Sequence, residues 1–168
     1  LCALPRVALL KKAKSLQFKG FQEARQARYE KTYRQYRDLA QPRITDVYAD
    51  VDIYPAERRV EIRGRYQLLN RSDTAIRELH LGLPPDVTIN SLDLPAHTVT
   101  LDDHELGYHI YQLEEPLVPG KTMQLSFDLS VLHRGFVNHG SDTSIVYNGT
   151  FFNNTQYFPL LGYNENLQ

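Results

Sequence analysis

The sequence predicts a mainly β protein: an antiparallel β-sandwich, or curved two-sheet domain, preceded by an N-terminal α-helical arm. Three observations carry this expectation. The hydrophobic period is 3.6 before the Gln41-Pro42 step and 2 after it. Seven or eight alternating runs follow, at intervals of about 8–15 residues, separated by Pro, Gly and Asn turns. The 168 residues are 42% hydrophobic and 23% charged, as expected of a soluble globular chain that buries a core.

The helical arm comes first. Residues 8–40 contain no proline, one glycine (Gly20) and many good helix formers. Tyr29, Tyr33 and Tyr36 recur at i, i+4 and i+7, which places three rings on one helix face. Such a stripe either docks a partner or packs on its own domain, and the second is the expectation. Glu30 and Arg34 form an i, i+4 pair in the favourable order. The helix is expected to end at Gln41, because the residue before a proline is pushed out of the α region.

The strands follow in order. Val47, Ala49, Val51 and Ile53 alternate with Asp46, Tyr48, Asp50 and Asp52. A turn at Pro55-Ala56-Glu57-Arg58 leads to Val60, Ile62, Gly64, Tyr66 and Leu68, which alternate with Glu61, Arg63, Arg65 and Gln67. These two runs should pair antiparallel, with an acidic face opposite a basic one. Asn70-Arg71-Ser72-Asp73 is the next turn, and Leu79, Leu81 and Leu83 alternate up to Pro84-Pro85. Shorter candidates are 87–92, 98–101 and 108–113. After Pro119-Gly120, Met123, Leu125, Phe127, Leu129 and Val131 alternate with polar residues, and a last strand is expected over 144–147.

The net charge of −1 conceals two unlike pieces. Residues 1–43 hold 11 Lys/Arg against 3 Asp/Glu, and residues 44–168 hold 8 against 17. The domain organisation read from this is a basic helical arm or linker, 1–43, and a β-sandwich domain, 44–168. The overall balance gives no sign of a nucleic-acid partner. A basic arm fits a segment beside an anionic membrane, or one folded on its own acidic body. Leu1–Leu10 is apolar except for Arg6 and precedes Lys11, Lys12 and Lys14, the order of a membrane exit and not of a secretory signal. The chain starts at Leu1 and its sole methionine is Met123, so it is expected to be part of a longer protein.

Reactive constellations are sparse. Cys2 is the one cysteine, which excludes an internal disulfide. His104-Glu105-Leu106-Gly107-Tyr108-His109 resembles a zinc-protease helix with one residue too many. On a helix, i and i+5 lie about 140° apart. On a strand, an odd separation puts the two on opposite faces. A hairpin turn without metal is therefore expected there. His133 and His139 flank Gly135 in a loop-like stretch and read as polar surface. Gly140-Ser141-Asp142-Thr143-Ser144 reads as a turn. Asn70-Arg71-Ser72 and Asn148-Gly149-Thr150 fit the glycosylation triplet, which carries no meaning in a bacterial chain. No phosphate loop or nucleophile elbow occurs. By residue chemistry this is a binding or scaffolding domain with no catalytic, cofactor-binding or metal-ligating residue of its own.

Three stretches, in this order, resemble one family. YEKTYRQYRDLAQPRITDVYADVDIYPAERRVEIRGRYQLLNRSDTAIRELHL, LEEPLVPGKTMQLSFDLSVLHRGF and NGTFFNNTQYFPLLGYNENLQ are similar to the N-terminal β-domain of aminopeptidase-N-type zinc metallopeptidases. The first stretch in particular resembles the bacterial variant in which this region is fused to ABC-2-type transporter permease spans. In the second stretch His133 stands where a tyrosine is usual. The resemblance implies a saddle-like two-sheet domain beside a thermolysin-like catalytic domain of the same parent chain. Its zinc would be held by H-E-x-x-H and a downstream glutamate, and these motifs do not occur in the 168 residues. It also implies attachment to the membrane through preceding spans, on the periplasmic side of a bacterial inner membrane, although the positive-inside rule pulls the basic arm the other way. Gln156 is the nearest counterpart of the family's amine-binding rim residue, but its surroundings differ and no site is assigned to it. The alternatives are a structural extracytoplasmic domain of an ABC-type permease and a stand-alone β-sandwich binding module. The aromatic tail, Phe151, Phe152, Tyr157, Phe158 and Tyr163, is expected to be a partly exposed junction.

Overall fold

The computed structural model describes residues 20–21, 23–132, 145–146, 149–150 and 154–165. Expectations for Leu1–Leu10, Cys2, His133, His139, the 140–144 turn, Phe151 and Phe152 fall outside these residues. Helix α1 covers 23–33 and tightens into a 3-10 turn, Arg34–Tyr36. Seven long strands follow: β1 (Arg43–Tyr54), β2 (Arg59–Leu69), β3 (Ile76–Gly82), β4 (Val87–Asp93), β5 (His97–Asp103), β6 (Tyr108–Leu117) and β7 (Thr122–Leu132). Short elements complete the described chain: β8 (Ile145–Val146), β9 (Gly149–Thr150), α2 (Asn154–Tyr157) and β10 (Leu160–Leu161).

The strands form two four-stranded antiparallel sheets, β1-β2-β7-β4 and β10-β3-β6-β5, and a β8-β9 ribbon. The predicted hairpin is present, with Tyr54 opposite Arg59 and Asp50 opposite Arg63. Between the sheets lies the main core. Val60, Ile62, Tyr66 and Leu68 of β2 and Met123, Leu125, Phe127, Leu129 and Val131 of β7 meet Leu79 and Leu81 of β3 and Tyr111 and Leu113 of β6. The period-2 patterning therefore placed the inward faces of these strands correctly.

The second sheet is covered on both faces. Leu79, Leu81, His109 and Tyr111 face the first sheet, whereas His80, Tyr108 and Ile110 face α1. Tyr29 and Tyr33 are buried against Tyr108, with Tyr33 and Tyr108 stacked at 4.2 Å between ring centroids. The tyrosine stripe thus packs on its own domain. Two cations of the arm reach acidic residues of the body, in the pairs Arg28–Glu105 and Arg37–Glu165.

The structure corrects two expectations. The helix stops at residue 33, not at Gln41, because Tyr36 turns in against His80 and 3-10 bonds (Arg37 N–H to Arg34 O, Leu39 N–H to Tyr36 O) take over. That frees Gln41 to cap the edge of β3, accepting from His80 N–H at 2.9 Å and donating to Glu78 O at 3.0 Å. β10 and Gly162 N–H close the rest of that edge, so it presents no open row of amides. Second, Tyr157 and Phe158 are not an exposed junction. They are buried in the main core, and Tyr163 stacks on Tyr29.

β1 is the least covered of the long strands of its sheet on its apolar face. Val47, Ala49, Val51 and Ile53 lie on the inward face, opposite Tyr66, Gly64, Ile62 and Val60. Only Val51 packs on the core, and Val47 remains 57% exposed. β1 is the outermost strand of its sheet, and alternation alone does not say whether a facing layer extends that far.

Candidate functional site

The turn between β5 and β6 brings together the chain's densest group of ligating side chains among the described residues. Asp102 and His109 are directly opposed across the antiparallel pair, so both project from the same face of the sheet. Asp102 Oδ1 lies 2.6 Å from His109 Nδ1. His104 stands in the turn itself, which folds its ring back over that face. Its Nε2 lies 3.1 Å from Asp102 Oδ2, and the two imidazole centroids are 5.4 Å apart.

The expectation that His104 and His109 diverge is therefore overturned. The expected hairpin turn is present, but helix and strand geometry do not describe a pair that spans it. A reversal intervenes at 104–107, and the parity rule does not cross a turn. The pairing of Asp102 with His109 depends on hairpin register, which a hydrophobic pattern with a bulge between Val99 and Leu101 does not reveal.

The turn is held from three sides. Gly107 adopts φ +69° and lies so close to Leu83 that Leu83 N–H donates to Gly107 O at 2.9 Å. Asp103 Oδ1 accepts from Leu106 N–H at 3.0 Å, and Asp103 Oδ2 accepts the Tyr33 hydroxyl at 2.5 Å. Arg28 of α1 reaches Glu105. The helix and the hairpin tip thus form one unit.

Electrostatically, His109 is 2% exposed, and burial lowers its pKa more than the neighbouring Asp102 carboxylate raises it. The ring is consequently held neutral, with a lone pair for a proton or a metal. His104 and Asp102 have side chains 72% and 51% exposed, so one side of the group is open to water. No serine, threonine or cysteine side chain is hydrogen-bonded to either imidazole among the described residues. The Asp–His pair accordingly has no nucleophile to activate in the way of a hydrolase triad.

A second polar group, on the other face of the same sheet, is structural. His80 Nδ1 shares a 3.0 Å hydrogen bond with the Tyr108 hydroxyl, and His80 Nε2 lies 3.3 Å from Glu78 Oε2. Burial lowers the His80 pKa against the opposing pull of Glu78. Burial likewise raises Tyr29 to about 12 and Tyr108 further, so these rings stay neutral. A groove of about 700 Å³ runs past Gln41, Arg43, Arg71 and Leu160, but no cluster of ionisable groups converges in it. Gln156 is exposed in α2.

Asn70 belongs to the framework and not to a glycan site. Its Nδ2 donates to Thr74 O and Leu117 O at 2.8 and 2.7 Å, and its Oδ1 accepts from Ser72 N–H. With the side chain 1% exposed, the amide is fully used in holding two loops together.

No protein-family model matches the chain, and no curated protein matches it in sequence. Solved structures are similar to part of it. An M1 zinc metallopeptidase from Deinococcus radiodurans is similar over 56% of this chain and 21% of that one, at 12% identity and a TM-score of 0.45. A mutant of the Deinococcus radiodurans protein bound to a Tyr-Ser-Ala substrate gives the same figures. A mutant of a two-domain M1 zinc metallopeptidase bound to L-tryptophan is similar over 60% and 22%, at 13% identity and a TM-score of 0.45. The chain spans about a fifth of the length of these proteins.

Proposed function

We propose that this chain is a non-catalytic β-domain that packs beside the catalytic domain of an aminopeptidase-like zinc metallopeptidase, both belonging to one parent chain. The observation that carries the reading is the uncovered inward face of β1. Ile44, Val47 and Ile53 are all exposed on a 12-residue outer strand. An apolar strip on an edge strand is a liability unless another layer covers it. The order of the three family-like sequence stretches supplies the class of that layer. Within the 168 residues H-E-x-x-H does not occur, so no step of peptide hydrolysis is assigned to this chain. Zinc and catalysis would reside in the partner domain.

The parent is read as anchored in a bacterial inner membrane, with this domain on the periplasmic side and the basic arm next to the bilayer. No helix among the described residues is long and apolar enough to cross a membrane. The arm's charge favours a second reading, in which the domain is a structural extracytoplasmic part of an ABC-2-type permease. The two readings differ in the parent's metal content.

The test uses the full parent chain. Val47→Asp combined with Ile53→Asp is expected to expose the junction to limited proteolysis and to lower cleavage of aminoacyl reporter substrates, with the β-domain still folded. A parent that holds no zinc and cleaves no such substrate refutes the peptidase reading. Unchanged proteolysis in the double variant refutes β1 as the docking face.

A further inference from the structure

We propose that Asp102, His104 and His109 form a binding site for one divalent transition-metal ion of the zinc type, which staples the tip of the β5–β6 hairpin. The inference stands apart from the proposed role of the domain. One carboxylate oxygen and one ring nitrogen from each histidine all lie within 4.8 Å of one another. Zinc bonds of 2.0–2.1 Å in a tetrahedral site put ligand atoms about 3.3 Å apart. Whichever oxygen Asp102 offers, its short contact to one imidazole (2.6 Å from Oδ1 to His109 Nδ1, or 3.1 Å from Oδ2 to His104 Nε2) opens slightly, and the other two ligand pairs close by at most about 1.5 Å. Such adjustments fall on the exposed side chains of His104 and Asp102, while His109 is fixed by the core behind it.

The donor set selects the metal class. Two imidazoles and one carboxylate suit zinc, nickel, copper or cobalt, whereas magnesium and calcium require shells of oxygen. Three protein ligands leave a fourth position, and the open side of the group faces water, so the ion would be exchangeable. It would join two strands and their turn at the point where Tyr33 and Arg28 fasten α1. Metal binding is thereby linked to helix docking.

The experiment uses the whole chain, freed of metal by a chelator and dialysis. Zinc is titrated by calorimetry, and cobalt absorbance reports the coordination. One zinc per chain is expected at this site, with tetrahedral-type cobalt bands and a rise in melting temperature of about 5 °C or more at a hundredfold excess over Kd. Magnesium is expected to produce none of these. His104→Ala changes an exposed side chain and should fold, with zinc affinity at least tenfold weaker. Asp102→Asn is the second variant and should behave in the same way. Absence of zinc binding by the unaltered chain, or binding unchanged in both variants, overturns the proposal.

Discussion

Gly107→Ala is expected to be among the most damaging single-methyl additions in this protein. A Cβ built on Gly107 would lie 1.8 Å from Leu83 O and 3.0 Å from Leu83 C, both backbone atoms that no rotamer can move. The strand ends must separate by more than 1 Å, which breaks the bond from Leu83 N–H to Gly107 O. That bond contributes about 1 kcal/mol. The left-handed φ of +69° adds about 1–2 kcal/mol once a Cβ is present, and forced repacking about 1–3 kcal/mol. The sum is about 4 kcal/mol, a large part of the stability of an ordinary domain. Gly120→Ala is the internal control. Its φ is +74°, but nothing lies within 4 Å of the added carbon, so the conformational cost of about 1–2 kcal/mol stands alone. Urea unfolding followed by circular dichroism measures both, with equal m-values confirming that only stability has changed. A Gly107→Ala cost no greater than that of Gly120→Ala would refute the reasoning.

Other consequences can be checked with the same assay. Asn70→Asp replaces an amide that donates to two carbonyls with an oxygen that repels them, and should cost about 3 kcal/mol, whereas a mere turn residue would tolerate it. Tyr33→Phe keeps the stack on Tyr108 but removes the bond to Asp103, for a loss of about 1.5–3 kcal/mol; no loss would detach the helix from the hairpin tip. His80 titrates below its usual 6.5 in the folded chain, so below pH 6.5 the unfolded chain takes up a proton that the folded one refuses. Stability should therefore fall as pH drops through that window, by at most about 1.4 kcal/mol per pH unit from His80, with His109 adding in the same direction, and His80→Gln should reduce the slope without abolishing it. Deleting residues 1–28 should preserve a cooperative melt, because Tyr29 is the first buried residue among the described residues of the arm, whereas deletion through residue 37 uncovers Tyr108 and Ile110 and should lower the midpoint sharply.

The alternation of Val60, Ile62, Tyr66 and Leu68, and of Met123 through Val131, was legible because a strand's side chains report their face locally. The same held for the tyrosine spacing at 29, 33 and 36, which a helix converts into a single stripe. Helix length was not legible. Gln41-Pro42 is a strong local stop, but the contact of Tyr36 with His80 ends the helix sooner. β10 went unforeseen because a two-residue strand has no period to detect, and it exists through pairing with Leu81 and Gly82.

From its order of residues alone, this chain settled which long stretches are strands, where they turn and which side of each is oily, since those properties depend on neighbours within a few positions. Only the folded arrangement decided which oily sides find cover. It buried Tyr157 and Phe158, left Val47 bare, and folded His104 back beside His109 and Asp102. The reason is geometric: strand periodicity propagates along the backbone, whereas a turn resets it, and the meeting of side chains across a turn depends on register and on the layers packed above and below.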